Sequence, residues 1–393
     1  MLKIAWLSRL KAKFFYYPTK AQKHTQFLLC ASCLLTSVSA VAFSNTAIEA
    51  HTTEVIADQL QSPWSMVELP DGTFLITERD GHVVVVKDKK QSRTRLNLDG
   101  LYVAGQGGLL DIVLAPDFEE TNALYVTYAQ GELRANRLVV AKLTFDGNQF
   151  SQPEVIFKVA TDKGTPQHYA GRTLLLNDNT MLITSGDGFD YREQAQVKSS
   201  QLGKILRIKL DGGIPKDNPF VADNSTNAHA VYSIGHRNPQ GLVYDYDNQR
   251  IVSHEHGPAG GDELNILQPG KNYGWPVITY GKDYSQARIS PFTEYPSMMQ
   301  PEVDWTPSIA PSGMAYYGSK ANAFKSLQGH VLITTLVDKT LYAVDLNNGY
   351  RQSAIFNDVR GRLRDVIVSR AGNIVVLTDG KDAKLLIIKP KQS

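Results

Sequence analysis

The fold is decided by residues 64–87, which read WSMVELPDGTFLITERDGHVVVVK. Apolar runs of strand length alternate there with two polar turns, Pro70-Asp71-Gly72 and Asp80-Gly81. Asp-Gly turns between alternating or apolar runs of this length are typical of antiparallel hairpins. The stretch therefore predicts consecutive strands of one antiparallel sheet.

The same unit recurs along the rest of the chain, with a period of about 50–60 residues. Its further copies are Leu109–Phe145, Arg172–Leu210, Gln240–Leu267, Ser312–Leu346 and Arg364–Pro390. No sustained helical pattern interrupts them. Six units on one period predict an all-β fold, a six-bladed β-propeller of four-stranded blades. A β-sandwich or a pair of barrels is the alternative, but the common period favours the propeller.

The start of the chain has the pattern of a secretory signal peptide. Six Lys or Arg residues and no carboxylate precede Glu49, and an apolar run, Phe27–Phe43, ends in small residues. A retained membrane anchor is the alternative, but polar residues interrupt the run and it is short for a bilayer span. A lipoprotein signal at Cys33 fits less well. The predicted domains are a signal peptide, residues 1–42, and a propeller, residues 43–393, in a periplasmic or secreted protein.

Charge and cysteine content exclude several classes of function. Both cysteines, Cys30 and Cys33, lie in the predicted signal, so the mature chain has no thiol for a disulfide or for catalysis. The whole chain has 41 basic and 39 acidic residues, and six of the basic ones lie in that signal, so the mature chain is slightly acidic. This balance argues against nucleic acid or an anionic membrane as a partner, and we expect no stable membrane insertion.

Loops from all blades of a propeller meet at one mouth of the central channel, so a site there combines distant parts of the chain. Five predicted loops carry suitable polar groups. They contain Gln106, His168, Arg237-Asn238, the segment 257–263 and Arg362-Leu363-Arg364. We expect these groups to share one site.

The segment Gly257-Pro258-Ala259-Gly260-Gly261-Asp262-Glu263 sets carboxylates among glycines. Glycines let main-chain carbonyls turn inward and carboxylates add charge, which suits a hard cation such as Ca²⁺. Arg362 and Arg364 are two positions apart and share one face if the chain is extended. Two such cations repel unless an anion lies between them, although a solvated strand face is the commoner environment.

His168 could accept a proton from a hydroxyl, because a neutral imidazole titrates close to working pH. A single loop histidine is more often a surface residue without a catalytic role, so the case for His168 depends on the polar groups around it. The GxSxG, HExxH and P-loop motifs are absent from the sequence, and the glycine-rich stretches open no helices. A nicotinamide enzyme of the Rossmann type is therefore excluded. A calcium-plus-anion site remains.

From about Pro63 to its C-terminus, the chain resembles the soluble PQQ-dependent aldose sugar dehydrogenases of the glucose/sorbosone dehydrogenase family. The shared motifs, in the family's order, are GQGGLLDIVLAPDF, QHYAGR, GHRNPQGL, HEHGPAGGDELN, KNYGWP, SIAPSG and RLRDVIVS. The combination of GHRNPQG with HGPAGGDE and NYGW is specific to that family.

The resemblance implies a quinoprotein that oxidises aldoses at the anomeric carbon to aldonolactones, with PQQ and Ca²⁺ as cofactors. His168 would be the general base, removing the hydroxyl proton as hydride passes to PQQ. The residues implied to hold PQQ are Gln106, Arg237, Asn238, Tyr284, Arg362 and Arg364. The residues implied to bind calcium are Gly257 and Pro258, through their carbonyls, and Glu263 and Tyr273, at a further ion.

Two positions depart from the family pattern. Gln167 stands where glucose-oxidising members have Asp, and Val337 replaces a lysine that contacts PQQ, with Lys339 nearby. The expected partners are an aldose sugar and a diffusible or protein electron acceptor, and the expected state is a monomer or a dimer. Two other functions stay open. One is a calcium-dependent propeller lactonase, with carboxylate and Asn ligands at the axis and no need for paired arginines; the other is a non-catalytic binding propeller.

Overall fold

The computed structural model describes residues 48–391. Over this range the chain forms six four-stranded antiparallel sheets. Their innermost strands contact one another in sequence and close a ring. The six-bladed β-propeller predicted from the sequence is confirmed. The predicted signal peptide, residues 1–42, lies outside the described residues.

The chain begins its described part with β1 (His51–Gln61), which joins the last blade. Blades 1 to 5 each consist of four consecutive strands, innermost first. Blade 1 is β2 (Pro63–Glu68), β3 (Phe74–Glu78), β4 (His82–Lys87) and β5 (Lys90–Arg95). Blade 2 is β6 (Leu109–Leu114), β7 (Ala123–Glu132), β8 (Ala135–Thr144) and β9 (Glu154–Lys158). Blade 3 is β10 (Ala170–Leu175), β11 (Thr180–Ser185), β12 (Lys204–Lys209) and β13 (Val231–Ile234).

The remaining blades complete the ring. Blade 4 is β14 (Pro239–Asp245), β15 (Arg250–Glu255), β16 (Asp262–Leu267) and β17 (Val303–Trp305). Blade 5 is β18 (Pro311–Tyr317), β19 (His330–Thr335), β20 (Leu341–Asp345) and β21 (Gln352–Ile355). Blade 6 is β22 (Leu363–Val368), β23 (Ile374–Thr378), β24 (Lys381–Pro390) and, outermost, β1.

Blade 6 is built from both ends of the described chain. Strand β1 pairs antiparallel with β24, from the His51–Pro390 pair to the Gln61–Lys381 pair. On the other side of this blade, β22 contacts β2 of blade 1. The ring is therefore closed by main-chain hydrogen bonds between the first and last strands.

Helices are short in the described range. They are α1 (Phe118–Thr121) and the 3₁₀ helices Arg192–Gln196, Thr226–Ala230 and Lys325–Leu327. Within residues 48–391, no helix is both long and apolar enough to cross a membrane.

Burial explains which strands the sequence pattern detects. Every residue of β3 is buried, whereas β5, the outermost strand of the same blade, is mostly exposed and rich in Lys and Arg. Inner strands are covered by a neighbouring blade on each face and read as apolar runs, while charged side chains protect an outer edge from pairing with other chains. Each repeat found in the sequence therefore corresponds to the inner strands of one blade.

The innermost strands of four blades place a buried charge cluster inside the channel. Arg172 on β10 donates to Asp111 on β6 at 3.0 Å and to Ser65 on β2 at 3.2 Å. The same guanidinium lies 3.3 Å from the carboxylate of Asp365 on β22, and 4.3 Å from the centroid of the Trp64 ring. Burial raises the pKa of Asp365 to about 6, although Arg172 opposes this. One guanidinium thus compensates two buried carboxylates.

Candidate active site

A cavity of about 300 Å³ opens at the mouth of the channel, directly above this cluster. Its floor includes Trp64 and Gln240, which also contact Arg172. Its lining includes His256 and four charged residues, Arg79, Arg362, Arg364 and Asp379. We call this space the arginine cavity.

Arg362 and Arg364 both point into the arginine cavity, and Asp379 lies between them. Arg362 Nε donates to Asp379 Oδ2 at 2.9 Å, and Arg364 donates from Nε and Nη2 to Asp379 Oδ1 at 2.9 and 2.7 Å. Burial raises the pKa of Asp379, but the two guanidiniums outweigh burial and hold it below its usual value. The anion expected between the arginines is therefore supplied in part by the protein itself.

Arg79 adds a third guanidinium that the sequence did not reveal. Its Nε and Nη2 donate to the carbonyl of Gly107 at 3.2 and 2.8 Å, and Nη2 also bonds the carbonyl of Gly105. Burial lowers the pKa of Arg79, and so does the nearby charge of Arg364. Three guanidiniums against one carboxylate leave the cavity strongly positive, which suits a ligand with several carboxylates.

His168 is buried at the edge of this cavity, in the loop between β9 and β10. It is 4% exposed and has a positive φ of 47°. Its main-chain N–H donates to Gln106 Oε1 at 2.9 Å, and the next residues, Tyr169 and Ala170, line the arginine cavity together with Gln106. Gln106 therefore connects the histidine loop to the cavity.

The imidazole of His168 is paired with Asp187, in the loop between β11 and β12. His168 Nδ1 lies 2.7 Å from Asp187 Oδ1. The carboxylate also accepts from Phe189 N and from Trp275 Nε1, both at 2.8 Å, so both of its oxygens are bonded. A carboxylate on Nδ1 directs the proton of a neutral imidazole to that nitrogen and leaves the lone pair on Nε2.

The pKa of His168 lies below its ordinary value. Burial is the largest cause and repulsion by Arg237 adds to it, while the hydrogen bond to Asp187 opposes them. A buried imidazole with a lowered pKa is neutral at physiological pH and can accept a proton.

Arg237 lies between two aromatic rings beside His168. Its guanidinium carbon is 5.3 Å from the ring centroid of Trp275 and 5.9 Å from that of Tyr284. Its Nη1 donates to the carbonyls of His256 and Gly257. The next residue, Asn238, lines the arginine cavity and accepts from Gln240 Nε2 at 3.2 Å.

Arg237 also lines a second cavity, of about 310 Å³. Phe189 and Tyr284 line it with nearly parallel rings, which have an interplanar angle of 15° and centroids 6.2 Å apart. The Phe189 ring also makes an edge-to-face contact with the His168 ring, with 5.1 Å between the two centroids. Its remaining lining residues are Asp190, Arg192, Glu193, Arg237, Pro258, Trp275, Asp283 and Ile289. We call it the aromatic cavity. The loops that carry His168 and Arg237 thus border both the arginine cavity and the aromatic cavity.

The Gly257-Pro258 turn is held by Asp262, which accepts from Gly257 N at 2.8 Å. A Cβ at Gly257 would lie 2.2 Å from the carbonyl oxygens of both Gly260 and Gly261. Only glycine fits at position 257, because the carbonyl oxygens of Gly260 and Gly261 occupy the space that a side chain would need.

Glu263 and Tyr273 line neither cavity. Glu263 on β16 is half-buried and stands opposite Glu255 and Asp304 on the flanking strands. Asn265 donates to Glu263 at 3.2 Å, and its own Oδ1 is buried with no hydrogen-bond partner among the described residues. The Tyr273 hydroxyl donates to the carbonyl of Ile266 at 2.8 Å, so it is engaged at the far end of β16. The structure therefore does not bring this hydroxyl to Glu263.

Neither of the two residues that depart from the family pattern, Val337 and Gln167, lines the arginine cavity or the aromatic cavity. Val337 is 60% exposed, and Lys339 is exposed too. It is Leu336 that lines the arginine cavity, where its carbonyl accepts from Arg362 at 3.2 Å. Gln167 is half-buried and lines neither cavity.

Comparison with known proteins decides the family. The profile described as Glucose / Sorbosone dehydrogenase matches residues 60–387. The chain belongs to this family. A family relative, the aldose sugar dehydrogenase YliI of Escherichia coli (strain K12), is 34% identical over 347 residues, which cover 86% of this chain and 92% of that protein.

Solved structures agree with this assignment to the glucose/sorbosone dehydrogenase family. The apo-form of the soluble aldose sugar dehydrogenase (Asd) from Escherichia coli is 32% identical, with a TM-score of 0.81, over 87% of this chain and 100% of that one. The PQQ-bound form of the aldose sugar dehydrogenase from Streptomyces coelicolor is 27% identical, with a TM-score of 0.68, over 87% of this chain and 98% of that one.

Proposed function

We propose that the protein is a quinoprotein that oxidises aldose sugars at the anomeric carbon to aldonolactones, with PQQ and Ca²⁺ as cofactors. The observation that carries this proposal is the buried His168–Asp187 pair between the arginine cavity and the aromatic cavity. Membership of the family and the activities of the named relatives support it.

The arginine cavity fits PQQ, a quinone with three carboxylates. Arg362 and Arg364 would bind carboxylates, with Arg79 as a third cation, and Gln106 and Asn238 would bind the polar ring atoms. Arg237 and Tyr284 would contact the end of the cofactor next to the aromatic cavity. When bound, PQQ supplies the two-electron acceptor for the reaction.

His168 would remove the proton of the anomeric hydroxyl through Nε2. The pair of electrons leaves the anomeric carbon with its hydrogen as hydride, so that the C–O single bond becomes the lactone carbonyl. Asp187 holds the ring in place and would stabilise the imidazolium that results. Since the pKa of His168 is lowered, the imidazole is ready to accept this proton at neutral pH.

The aromatic cavity would hold the sugar. Phe189 and Tyr284 offer flat apolar faces to the C–H groups of a pyranose, and Asp190, Glu193 and Asp283 offer acceptors to its hydroxyls. A sugar placed there would meet His168 and Arg237 at the boundary between the cavities.

The Gly257-Pro258 turn would bind the calcium that polarises the cofactor, through main-chain carbonyls. The carbonyl of Gly257 accepts from Arg237, so it already faces a cation, and calcium would have to share this oxygen with Arg237. A carbonyl oxygen has two lone pairs and can serve both.

A further calcium would bind at Glu263. The unpartnered Oδ1 of Asn265 supports this site, because a cation there would satisfy a buried oxygen. Burial raises the pKa of Glu263 well above its usual value, and the neighbouring Glu255 raises it further. Tyr273, with its hydroxyl engaged elsewhere, would contribute its main-chain carbonyl.

We expect Glu263→Gln to reduce the stabilisation by calcium. At a calcium concentration of about one hundred times Kd, binding at this one site would stabilise the native protein by about 2.7 kcal/mol. The measurement is the thermal midpoint of apo protein in calcium and in chelator, for the wild type and for both Glu263→Gln and Glu119→Gln. Glu119, on the exposed side of α1, serves as the control. An undiminished calcium effect in Glu263→Gln contradicts the site.

We expect Arg364→Gln to weaken PQQ binding about 10- to 100-fold, since a hydrogen bond to a charged partner contributes about 1.5–3 kcal/mol. Binding is measured by titrating the apo protein and following cofactor absorbance. Arg370→Gln, near the end of the same β22 strand and 53% exposed at its side chain, is the matched control. Equal affinities of the two variants would contradict the assignment of Arg364.

The test of the function as a whole uses mature protein reconstituted with PQQ and Ca²⁺. Glucose and an artificial electron acceptor are added, and dye reduction is followed. Reduction that requires both cofactors supports the dehydrogenase, whereas lactone hydrolysis without PQQ supports the lactonase. Binding without either activity supports the non-catalytic propeller.

The charge cluster around Arg172 in the channel of the propeller makes the lactonase function less suitable. That function needs carboxylates free to bind calcium in the channel, but Asp111 and Asp365 are both engaged by Arg172. Arg362 and Arg364, the paired arginines at the mouth of the channel, would also have no role in such an enzyme.

The location and partners of the protein follow from the same proposal. Residues 1–42 would direct export, so the enzyme would act in the periplasm or outside the cell. Electrons would pass to a diffusible or protein acceptor, and the protein would be a monomer or a dimer.

A further inference from the structure

Lys163 is a buried lysine close to the His168–Asp187 pair. It is 2% exposed and lies in the same loop as His168. Its Nζ donates to Asn136 Oδ1 at 3.0 Å and to the carbonyl of Thr165 at 2.6 Å, and lies 3.4 Å from the ring centroid of Tyr169. No carboxylate in residues 48–391 forms an ion pair with it. A buried ammonium without a carboxylate is costly and calls for a reason.

The contacts of Lys163 reach the chain on both sides of the pair. Tyr169, under the ammonium, follows His168 directly, and its hydroxyl bonds the same Asn136 oxygen at 2.5 Å. On the other side, the stem of Lys163 packs on Gly188, where an added Cβ would lie 2.8 Å from Lys163 Cδ. Lys163 thus touches the residue after His168 and the residue after Asp187.

The titratable and charged groups that face His168 come from four loops. Lys163 belongs to its own loop, Asp187 to the β11–β12 loop, Arg237 to the β13–β14 loop and His256 to the β15–β16 loop. Of these, Asp187 alone favours the imidazolium, while Arg237 and Lys163 oppose it. Burial also lowers the pKa of Lys163 itself, to about 7, against the attraction of Asp187.

We propose that Lys163 is a positioning residue whose contacts hold together the two loops that carry the His168–Asp187 pair and whose unpaired ammonium adds to the forces that oppose protonation of His168. The catalytic consequence depends on the proposed function, in which His168 is the base. The effect on the imidazole is a property of the protein without cofactor.

Lys204 provides a matched control. It is also buried, its Nζ donates to the carbonyls of Gln194, Ala195 and Leu202, and burial lowers its pKa to about 7. It supports the β11–β12 loop that carries Asp187. Unlike Lys163, it is not among the main charges that shift the pKa of His168. Replacing Lys204 therefore removes a buried lysine with little direct charge effect on the imidazole.

The experiment is an NMR titration of the His168 imidazole in protein without cofactor, with the signal assigned through His168→Asn. The variants are Lys163→Met, which removes charge and hydrogen bonds, Lys163→Gln, which keeps a hydrogen-bond donor, and Lys204→Met. Loss of a neighbouring positive charge stabilises the imidazolium, so His168 should titrate at higher pH in both Lys163 variants and unchanged in Lys204→Met.

In the reconstituted enzyme, the ratio of kcat/KM at pH 6 to that at pH 8 should fall several-fold in the Lys163 variants. An unchanged His168 titration in Lys163→Gln overturns the proposal, as does an equal change in Lys204→Met. If Lys163→Met does not fold, Lys163→Gln still decides the matter. If the wild type oxidises no aldose while the titration moves as expected, the proposed function fails and the effect of Lys163 on His168 stands.

Discussion

Replacing His168 with asparagine is expected to lower kcat for glucose by about 10²- to 10⁴-fold, the usual contribution of a general base. Asparagine suits this position because His168 has a φ of 47°, and asparagine adopts the left-handed region more readily than most residues. Its amide cannot take up a proton at neutral pH. The measurement is dye reduction by the protein reconstituted with PQQ and Ca²⁺.

His82→Asn is the matched control for this prediction. His82 also pairs with a carboxylate, with Nδ1 2.9 Å from Asp80 Oδ1, but it lines neither cavity. The His82→Asn enzyme should keep full activity, and both His168→Asn and His82→Asn should retain the affinity of the wild type for PQQ. If His168→Asn kept kcat within a few-fold of the wild type, His168 would not be the base.

The second large effect concerns stability. Arg172→Met should lower the free energy of unfolding by about 3–5 kcal/mol at pH 7, because it leaves Asp111 and Asp365 buried without a counter-ion. Urea unfolding followed by tryptophan fluorescence measures the change. Arg137→Met, which breaks a partly exposed pair with Asp162, should cost about 1 kcal/mol or less.

The loss in Arg172→Met should shrink as the pH falls. The pKa of Asp365 is raised from 3.8 to about 6 in the folded protein, so the native state holds a proton that the unfolded chain releases between these values. This group therefore favours folding below about pH 4 and loses that contribution as pH rises through about 6. Without Arg172 the carboxyl holds its proton still more tightly. A penalty equal at pH 5 and pH 7 would show that uncompensated charge is not its cause.

The repeat was readable from the sequence because inner strands are covered on both faces and, in blade 1, are joined by Asp-Gly turns. Strand β1 was missed as the partner of β24, since pairing between the two ends of the chain leaves no local pattern. Outer strands such as β5 were also missed, because their exposed Lys and Arg residues do not form the apolar pattern of a buried strand.

The site was predicted in part, through loops with distinctive motifs, and its assigned roles stay predictions. Asp187, Asp379 and Arg79 were missed, although each contacts the candidate site directly. Arg79 and Asp379 lie in hairpin turns and Asp187 lies in the longer β11–β12 loop. Each is next to or two positions from glycine, in turn sequences where Asp is common for reasons of backbone geometry. A functional carboxylate in such a turn cannot be told from a turn former until the blades place it against a histidine or an arginine.

Because its outermost strand comes from the start of the chain and its other three from the end, blade 6 can form only after synthesis is nearly complete. Arg362, Arg364 and Asp379 all belong to this blade or its loops. A chain truncated before residue 362 therefore lacks Arg362, Arg364 and Asp379, and with them two of the three guanidiniums of the arginine cavity. Under the proposed function, an acidic cofactor would therefore bind tightly only to chains in which β1 has already paired with β24.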